Sequence, residues 1–331
     1  MDARIARIDT ASDSRCIRKT KEVSVASITV SWNGSTVLAE HVSALLEQSC
    51  PLGEIVVVDN ASADGTLDLL RQQFPDVTVF PMETNLGIGG GLCAGLRYAL
   101  EEHFDWFWLF DQDSVPGRTA LEELLRALAS LGDRASNIGV LAPLPVHRAT
   151  GFEHFGLLWR DRFVTVPRER ARQPVCFVDT VISSGSLIRR EVVEKVGFPR
   201  QDFFMDFVDH EYNLRIRRHG YEIALVREAV IYHRLGEARR VRRFRLGPIV
   251  LRSHEAPWRN YYMSRNEVFT VWHLLGTTKS RLFLLLRMLR RAGSIICYDG
   301  RKLARLKLHF VGIRDGFMKD LSRRRDQLPE K

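Results

Sequence analysis

Residues 54–66 read EIVVVDNASADGT, and this stretch sets the reading of the whole chain. Residues 54–58 carry an unbroken β-branched run, the pattern of a strand buried on both faces. Asp59, Asn60, Ser62, Asp64 and Gly65 then make a polar turn, and 66–74 follows a helical pattern. The same unit recurs on either side. Upstream, 27–31 (SITVS) predicts a buried strand broken by Asn33 and Gly34, with a helix over 35–48 ended by Pro51 and Gly53. Downstream, 77–80 predicts a third strand. A glycine-rich loop over 85–91 opens a helix running to about residue 102, and 106–110 (WFWLF) predicts a fourth strand ending in Asp111-Gln112-Asp113-Ser114. Strand–helix alternation at this spacing predicts an α/β fold, a mostly parallel sheet with helices on both faces. Ligands of such sheets bind beyond the carboxyl ends of the strands. Three of the strands end in polar or acidic residues (Asn33, Asp59, and Asp111 with Asp113), which are expected to converge on one crevice.

Past residue 131 the pattern weakens. Strands are expected over 175–181 and 185–188, a helix over 208–219 closed by Gly220, and short strands over 223–226 and 229–232. No repeat is visible. The chain has 331 residues, 45% of them hydrophobic, enough for a large core. No stretch approaches the roughly 20 apolar residues of a spanning helix; the most apolar window, 282–286, is followed by Arg287, Arg290 and Arg291. Residues 1–22 carry charges without an apolar segment and are expected to be a loose tail, with no secretory signal. The five cysteines are scattered and form no C-x-x-C pair, which favours a reducing cytoplasm. The net charge of +9 is uneven: residues 234–331 carry 24 Lys+Arg against 8 Asp+Glu, and the rest of the chain is net acidic. A basic tail calls for an anionic partner, nucleic acid or lipid head groups.

Several residues can carry chemistry. Asp111 and Asp113, one residue apart after a strand, can aim carboxylates at a divalent cation, and hard oxygen ligands suit Mg²⁺ or Mn²⁺. The plainer reading is a helix cap before Pro116. Asp59 can accept hydrogen bonds from a nucleobase or ribose, or simply start a turn, and the turn reading covers Asp64 as well. The run Asn85-Leu86-Gly87-Ile88-Gly89-Gly90-Gly91 is not G-x-G-x-x-G. It lets backbone approach a ligand closely, or supplies a turn with positive φ. Asp209 opens the 208–219 helix beside His210 and Glu211, after Phe203, Phe204, Met205 and Phe207. A carboxylate among apolar side chains can serve as a general base, and His210 can do the same chemistry. His233 follows a strand and can hold a metal or phosphate, or be structural.

Taken together, SITVSWN, VVVDNASADGT, TNLGIGGGLCAG, FDQDS and FFMDFVDHEYNLRIRRHGY resemble glycosyltransferase family 2 in order and spacing over residues 27–236. The DQDS and FVDHEYNLR forms, with NYYMSRN at 260–266, look like its rhamnosyltransferase branch, whose members build bacterial surface polysaccharides. The resemblance implies a GT-A fold, an inverting mechanism and a divalent metal. Carried onto this chain, it makes Asp113 the metal ligand, with Asp111 near ribose or the metal and His233 a further metal or phosphate contact. Asp59 would hold the nucleobase. Asn33, Asn60, Asn85, Gly87, Gly89, Gly90 and Gly185 would complete the donor pocket, and Asp209 would be the catalytic base. Many relatives have Glu-Asp where this chain has Val208-Asp209, which makes Glu211 a candidate helper.

On this reading 23–236 is the catalytic domain, with a nucleotide-sugar half (23–114) and an acceptor half (115–236), and 237–331 is a basic, largely helical region. The expected donor is dTDP-L-rhamnose, with UDP-galactofuranose or a UDP-hexose as the alternative. The expected acceptor is a glycan or lipid-linked oligosaccharide. A nucleotidyltransferase is the nearest enzymatic rival, since it too uses paired carboxylates and a metal. Nucleic-acid binding is disfavoured because Trp258, Tyr261 and Tyr262 cluster at the start of the tail instead of being interleaved with its charges. The mixture of apolar residues and cations over 279–319 suits an amphipathic helix on an anionic membrane surface, on the cytoplasmic face of the inner membrane, or alternatively a packing or homo-oligomer interface.

Overall fold

The computed structural model describes residues 23–233, 238–242, 248–252, 256–323 and 328; the expected tail over 1–22 lies outside them. The first half alternates as the sequence predicts: β1 (Val25–Ser31), α1 (Leu38–Leu46), β2 (Glu54–Asp59), α2 (Thr66–Gln73), β3 (Thr78–Pro81), α3 (Gly87–Glu101) and β4 (Trp106–Asp111). β1 pairs in parallel with β2 and with β4, and β2 with β3. Both faces of β1, β2 and β4 are covered, which is why they read as unbroken apolar runs, whereas β3 is the half-exposed edge strand. Phe107 and Leu109 join the core under α3, whereas Trp106, Trp108 and Phe110 pack on the opposite face with Leu38, Val42 and Leu45 of α1.

The second half departs further from expectation. It runs through β5 (Ser114–Pro116), α4 (Ala120–Ser130), β6 (Ile138–His147), a hairpin of β7 (Leu157–Trp159) and β8 (Phe163–Thr165), α5 (Arg168–Ala171), β9 (Val175–Val178), β10 (Leu187–Arg189), α6 (Arg190–Val196), α7 (Val208–Arg218) and β11 (Glu222–His233). β6 was not expected from sequence, because Gly139, Pro143 and Pro145 interrupt it. It is a strand all the same, since β10 covers only Val140 and Leu141 and leaves no ladder beside the prolines on that side. The two short strands expected over 223–232 are one strand, β11, with a bulge between Val226 and Val230. The sheet order is β3-β2-β1-β4-β10-β6-β11-β5, with β9 also against β11. β10 runs antiparallel to both its neighbours in an otherwise mostly parallel sheet.

A third block follows: the hairpin β12 (Ala238–Arg242) and β13 (Pro248–Arg252), then α8 (Arg259–Phe269), a π-helical turn Thr270–Leu275, α9 (Thr278–Tyr298) and α10 (Lys302–Met318). The tail is helical, as expected. α8 lies directly on α10, where Gly312 and Gly316 let the helix backbones approach: a Cβ at either would meet the carbonyl of Tyr261 or Arg265. Tyr261 and Tyr262 are wholly buried in this contact, so neither is a base-stacking surface. Part of the tail's positive charge is neutralised internally: buried Glu267 pairs with Arg287 and Arg291, and buried Asp315 with Arg314 and Arg323. Among the described residues no helix is long and apolar enough to cross a membrane.

Two buried histidines are held neutral. His41 of α1 hydrogen-bonds the Ser114 carbonyl through Nδ1 (2.5 Å) and Thr29 Oγ1 through Nε2 (2.7 Å). A carbonyl only accepts, so Nδ1 carries the proton and Nε2 accepts from the threonine. Burial pushes His41 down to about 4, and burial, helped by Arg291, does the same to His309 of α10. Both folded values lie below the unfolded value near 6.5, so the unfolded chain binds the proton first. Stability is therefore full at pH 7 and is lost as pH falls from 6.5 towards 4. His41 alone accounts for about 2 kcal/mol of loss by pH 5. Urea unfolding at pH 7 and pH 5 should show this drop, and His41→Gln, which has nothing to titrate there, should lose its share of it.

Candidate active site

The chain leaves β1 for β2 and β3 on one side, then returns to place β4 on the other. The reversal opens a crevice at the carboxyl ends of β1 and its neighbours. Parallel register levels those ends: Ser31 lies beside Asp59, and Val30 beside Asp111. Residues 111–114 form a turn from β4 into β5, not a helix cap; the next helix, α4, begins at Ala120. Gln112 pins this turn to β1, its Oε1 accepting from Ser31 Oγ (2.8 Å) and the Trp32 amide (2.7 Å). With its central residue held, the turn presents Asp111 and Asp113.

Asp111, Asp113 and His233 offer ligand atoms that all lie within 4.8 Å of one another. His233 reaches them because β11 runs past its bulge to pair with β5, setting His233 opposite Ser114. Its Nδ1 hydrogen-bonds Ser114 Oγ (2.6 Å), which in turn meets Ser184 Oγ (2.6 Å), and lies 3.6 Å from Asp113 Oδ1. These two serines orient the imidazole as outer partners orient a metal ligand. Burial pushes the Asp111 carboxyl up to about 6; His233 and Arg259 oppose the rise, while Asp113 and Asp209 add to it. Two crowded carboxylates and an imidazole fit Mg²⁺ or Mn²⁺, whose charge would relieve the crowding.

At the neighbouring strand end Asp59 is buried. Its Oδ2 accepts from the Ser62 amide (3.0 Å), as a turn residue would, but its Oδ1 is buried with no hydrogen-bond partner. An orphaned buried acceptor is costly and suits a ligand's N–H. Asn33, at φ 50°, accepts from the Ala63 amide (2.9 Å) and ties the β1 loop to the β2 loop. Asp64 accepts from the Ser35 and Thr66 amides, which makes it a turn residue.

The glycine-rich stretch behaves differently from a ligand-cradling loop. Only Asn85 and Leu86 precede α3; Gly87, Gly89, Gly90 and Gly91 lie in its first turns and are buried. Gly87 has φ +71°, and a Cβ there would run into the Phe204 carbonyl. A Cβ at Gly89 would meet the carbonyls of Arg200 and Phe203, at Gly90 the Leu86 side chain, and at Gly91 Val30. These glycines face protein, not a cleft. Asn60 and Asn85 serve the same joint: Asn60 accepts from the Leu86 amide and donates to the Gly87 carbonyl, and Asn85 Oδ1 accepts from the Gly87 amide. Gly185 is likewise internal, at φ +81° against Pro143 and Ile231. Of the residues expected to line a donor pocket, these meet other parts of the protein.

Asp209 stands in the first turn of α7, close enough to Asp111 to influence its carboxyl. Its Oδ1 accepts from the His210 amide (2.7 Å). His210 is turned aside, bonded to Thr180 (2.6 Å) between the rings of Phe163 and Phe207. Glu211 is no helper: it is buried in a two-armed pair with Arg215 (2.9 and 3.0 Å). Sequence reasoning missed Gln112, Ser114, Ser184 and Arg259. Gln112 and Ser114 lie inside the quoted FDQDS, and Ser184 adjoins Gly185; Arg259, just ahead of NYYMSRN, reaches the site only through the fold.

With this geometry in place, comparison with known proteins is informative. The family model described as Glycosyl transferase family 2 matches residues 27–197. The chain is 25% identical over 287 residues to the dTDP-rhamnosyl transferase RfbF of Shigella flexneri, covering 83% of this chain and 88% of that protein. It is 25% identical over 215 residues to the galactofuranosyltransferase GlfT1 of Mycolicibacterium smegmatis, covering 64% of this chain and 71% of that one. Among solved structures, S. aureus TarS 1-349 in complex with UDP superposes with a TM-score of 0.55 at 16% identity, over 90% of this chain and 88% of that one, a likeness of fold.

The glycines give a direct test. Gly65 (φ +84°) has open space around it, so Gly65→Ala pays only for the left-handed backbone, about 1 kcal/mol. Gly87→Ala pays for the backbone and for the collision with Phe204, about 3 kcal/mol or more. Denaturant unfolding of the two variants should separate them in that order; equal losses would mean that the Gly87 contact is not tight.

Proposed function

Because the chain belongs to glycosyl transferase family 2, we propose that this glycosyltransferase moves L-rhamnose from dTDP-L-rhamnose to a hydroxyl of a glycan or lipid-linked oligosaccharide, with inversion. The reading is carried by one observation: Asp111, Asp113 and His233 share a few ångströms at the strand crossover, with Asp209 near enough to act on Asp111. In this scheme the orphaned Asp59 Oδ1 accepts the imide N–H of the thymine base. Asp111, Asp113 and His233 would hold Mg²⁺ or Mn²⁺, which supplies positive charge to a departing diphosphate. Asp209 takes the proton of the acceptor hydroxyl as its oxygen bonds to the anomeric carbon. The bond from that carbon to the diphosphate breaks, and the nucleoside diphosphate leaves. Holding donor and acceptor in line supplies much of the remaining acceleration.

The similarity to RfbF supports the rhamnosyl donor, and that to GlfT1 favours UDP-galactofuranose as the second reading. Asp59 would suit either base, since thymine and uracil present the same imide. A panel of nucleotide sugars, read by release of free nucleoside diphosphate with and without Mn²⁺ or Mg²⁺, tests the assignment. Turnover is expected with dTDP-L-rhamnose and a divalent ion. Asp113→Ala and excess chelator should both weaken donor binding, and Asp209→Asn should lower turnover by about 10² or more with donor binding nearly intact. Release of nucleoside monophosphate and pyrophosphate would indicate nucleotidyl transfer instead. Activity with UDP-galactofuranose alone would move the donor to the second reading.

The outer face of α9 supports association with an anionic membrane surface. Leu282, Leu285, Leu286, Leu289 and Ile296 fall on one helical face and are all exposed. Arg290 of α9, Arg301 at the start of α10, and Lys302 and Lys307 of α10 are exposed as well. Apolar residues flanked by cations match an interface with anionic head groups, each cation contributing about 1 kcal/mol near the surface. The protein is expected to float with anionic liposomes at low salt and not with neutral ones, and Leu286→Gln with Leu289→Gln should abolish flotation. Loss of a concentration-dependent dimer in that variant, with no flotation of the parent, would assign the face to self-association.

A further inference from the structure

NYYMSRN at 260–266 is quoted in the family resemblance without a role, and its end meets the loop that delivers Asp209. Residues 197–207 connect α6 to α7, and this connection contains two consecutive non-glycine residues in the left-handed region, Asp206 (φ 58°) and Phe207 (φ 65°). Neither residue type favours that conformation, so contacts from its surroundings must offset the strain. Phe207 is the residue from which α7 starts, and Asp209 follows two positions on, so the twist at 206–207 fixes the direction in which α7 leaves and where its first turn places the carboxylate.

α8 supplies what holds the twist. The wholly buried Asn266 side-chain amide donates to the carbonyls of Met205 and Asp206, both at 2.9 Å. These belong to the two peptide groups on either side of Asp206. One NH₂ group thus bridges both planes of the strained residue. About two turns earlier, Arg259 pairs with the Asp206 carboxylate at 2.9 Å. Wholly buried Arg265 donates to the Asp202 carbonyl at 2.7 Å. These four bonds go to the loop, none to Asp209 itself, while Arg265 Nε also donates to Asn266 Oδ1 and steadies its amide.

We infer that Asn266 is a positioning residue for the transfer step: it holds the left-handed turn at Asp206–Phe207 and through it aims Asp209 at the acceptor hydroxyl. The C-terminal helical block is then part of the catalytic apparatus. The inference rests on the proposed role of Asp209 as base, and the test separates the two.

The test is a double-mutant cycle on single-turnover rates with saturating donor, using the full chain, dTDP-L-rhamnose or whichever donor the panel selects, and a simple glycoside acceptor. Asn266→Ala should slow transfer at least about 10-fold in the parent, yet less than about 3-fold when Asp209 is already Asn, because its effect runs through that carboxylate. Nucleotide binding should stay within about 3-fold of the parent throughout, since the strand-end residues near the donor are untouched. Asp206→Asn, which tolerates the left-handed conformation but loses the Arg259 pair, is a milder second probe and should slow transfer about 3-fold in the parent only. An equal fall in both backgrounds, or parent-like rates in folded Asn266→Ala and Asp206→Asn, overturns the inference and leaves the role of Asp209 standing. Parent-like turnover in Asp209→Asn alone overturns the base assignment and the inference with it.

Discussion

The close approach of residues 200–204 to the first turn of α3 is the contact on which the site depends. The Ile88 amide donates to the Phe204 carbonyl at 2.8 Å, and Gly87 and Gly89 leave no room for a side chain there. On one side of this joint are the carboxyl ends of β1 and β2, with Asn60 and Asn85 fixing the start of α3. On the other are α7 and Asp209. α8 grips the same connection from a third direction, Arg265 at the Asp202 carbonyl and Asn266 just beyond, at Met205 and Asp206. Dense packing makes such a joint stiff, because no element can shift without opening a void or colliding with backbone.

Stiffness is what the proposed chemistry requires. Carboxylates do their work only when held within fractions of an ångström of the reacting atoms. Here Gln112 fixes the Asp111–Asp113 turn, serines fix His233, and the left-handed turn fixes the start of α7. The tail's charge divides similarly: Arg287 and Arg291 tie α9 to α8 through Glu267, Arg314 and Arg323 close on Asp315, and other cations stay exposed on the outer face.

The first half of the fold was legible because its strands are buried on both faces and its helices are bounded by polar turns, so local pattern and global position agree. β6 was not, since Pro143 and Pro145 argue against a strand until the short reach of β10 is known. The bulge in β11 was hidden for a similar reason: Arg227 and Glu228 look like a loop, although the strand continues past them to bring His233 to the site. The glycines were read as candidates for a ligand loop, because sequence shows that backbone comes close to something there without showing what.

The sequence by itself determined the residue types and the strand ends on which they sit: Asp59, Asp111 and Asp113 follow apolar runs, and parallel pairing must bring such ends to one edge. It also determined that Asp209 opens a helix. The Glu211–Arg215 pair, four residues apart on one helix, was within its reach too. Only the tertiary structure decided that His233 stands beside Asp113, that His210 is turned away, and that NYYMSRN grips the loop ahead of Asp209. Periodicity reports which face of an element is buried. What each buried polar group meets is set by contacts between residues far apart in the chain, and no local pattern encodes those.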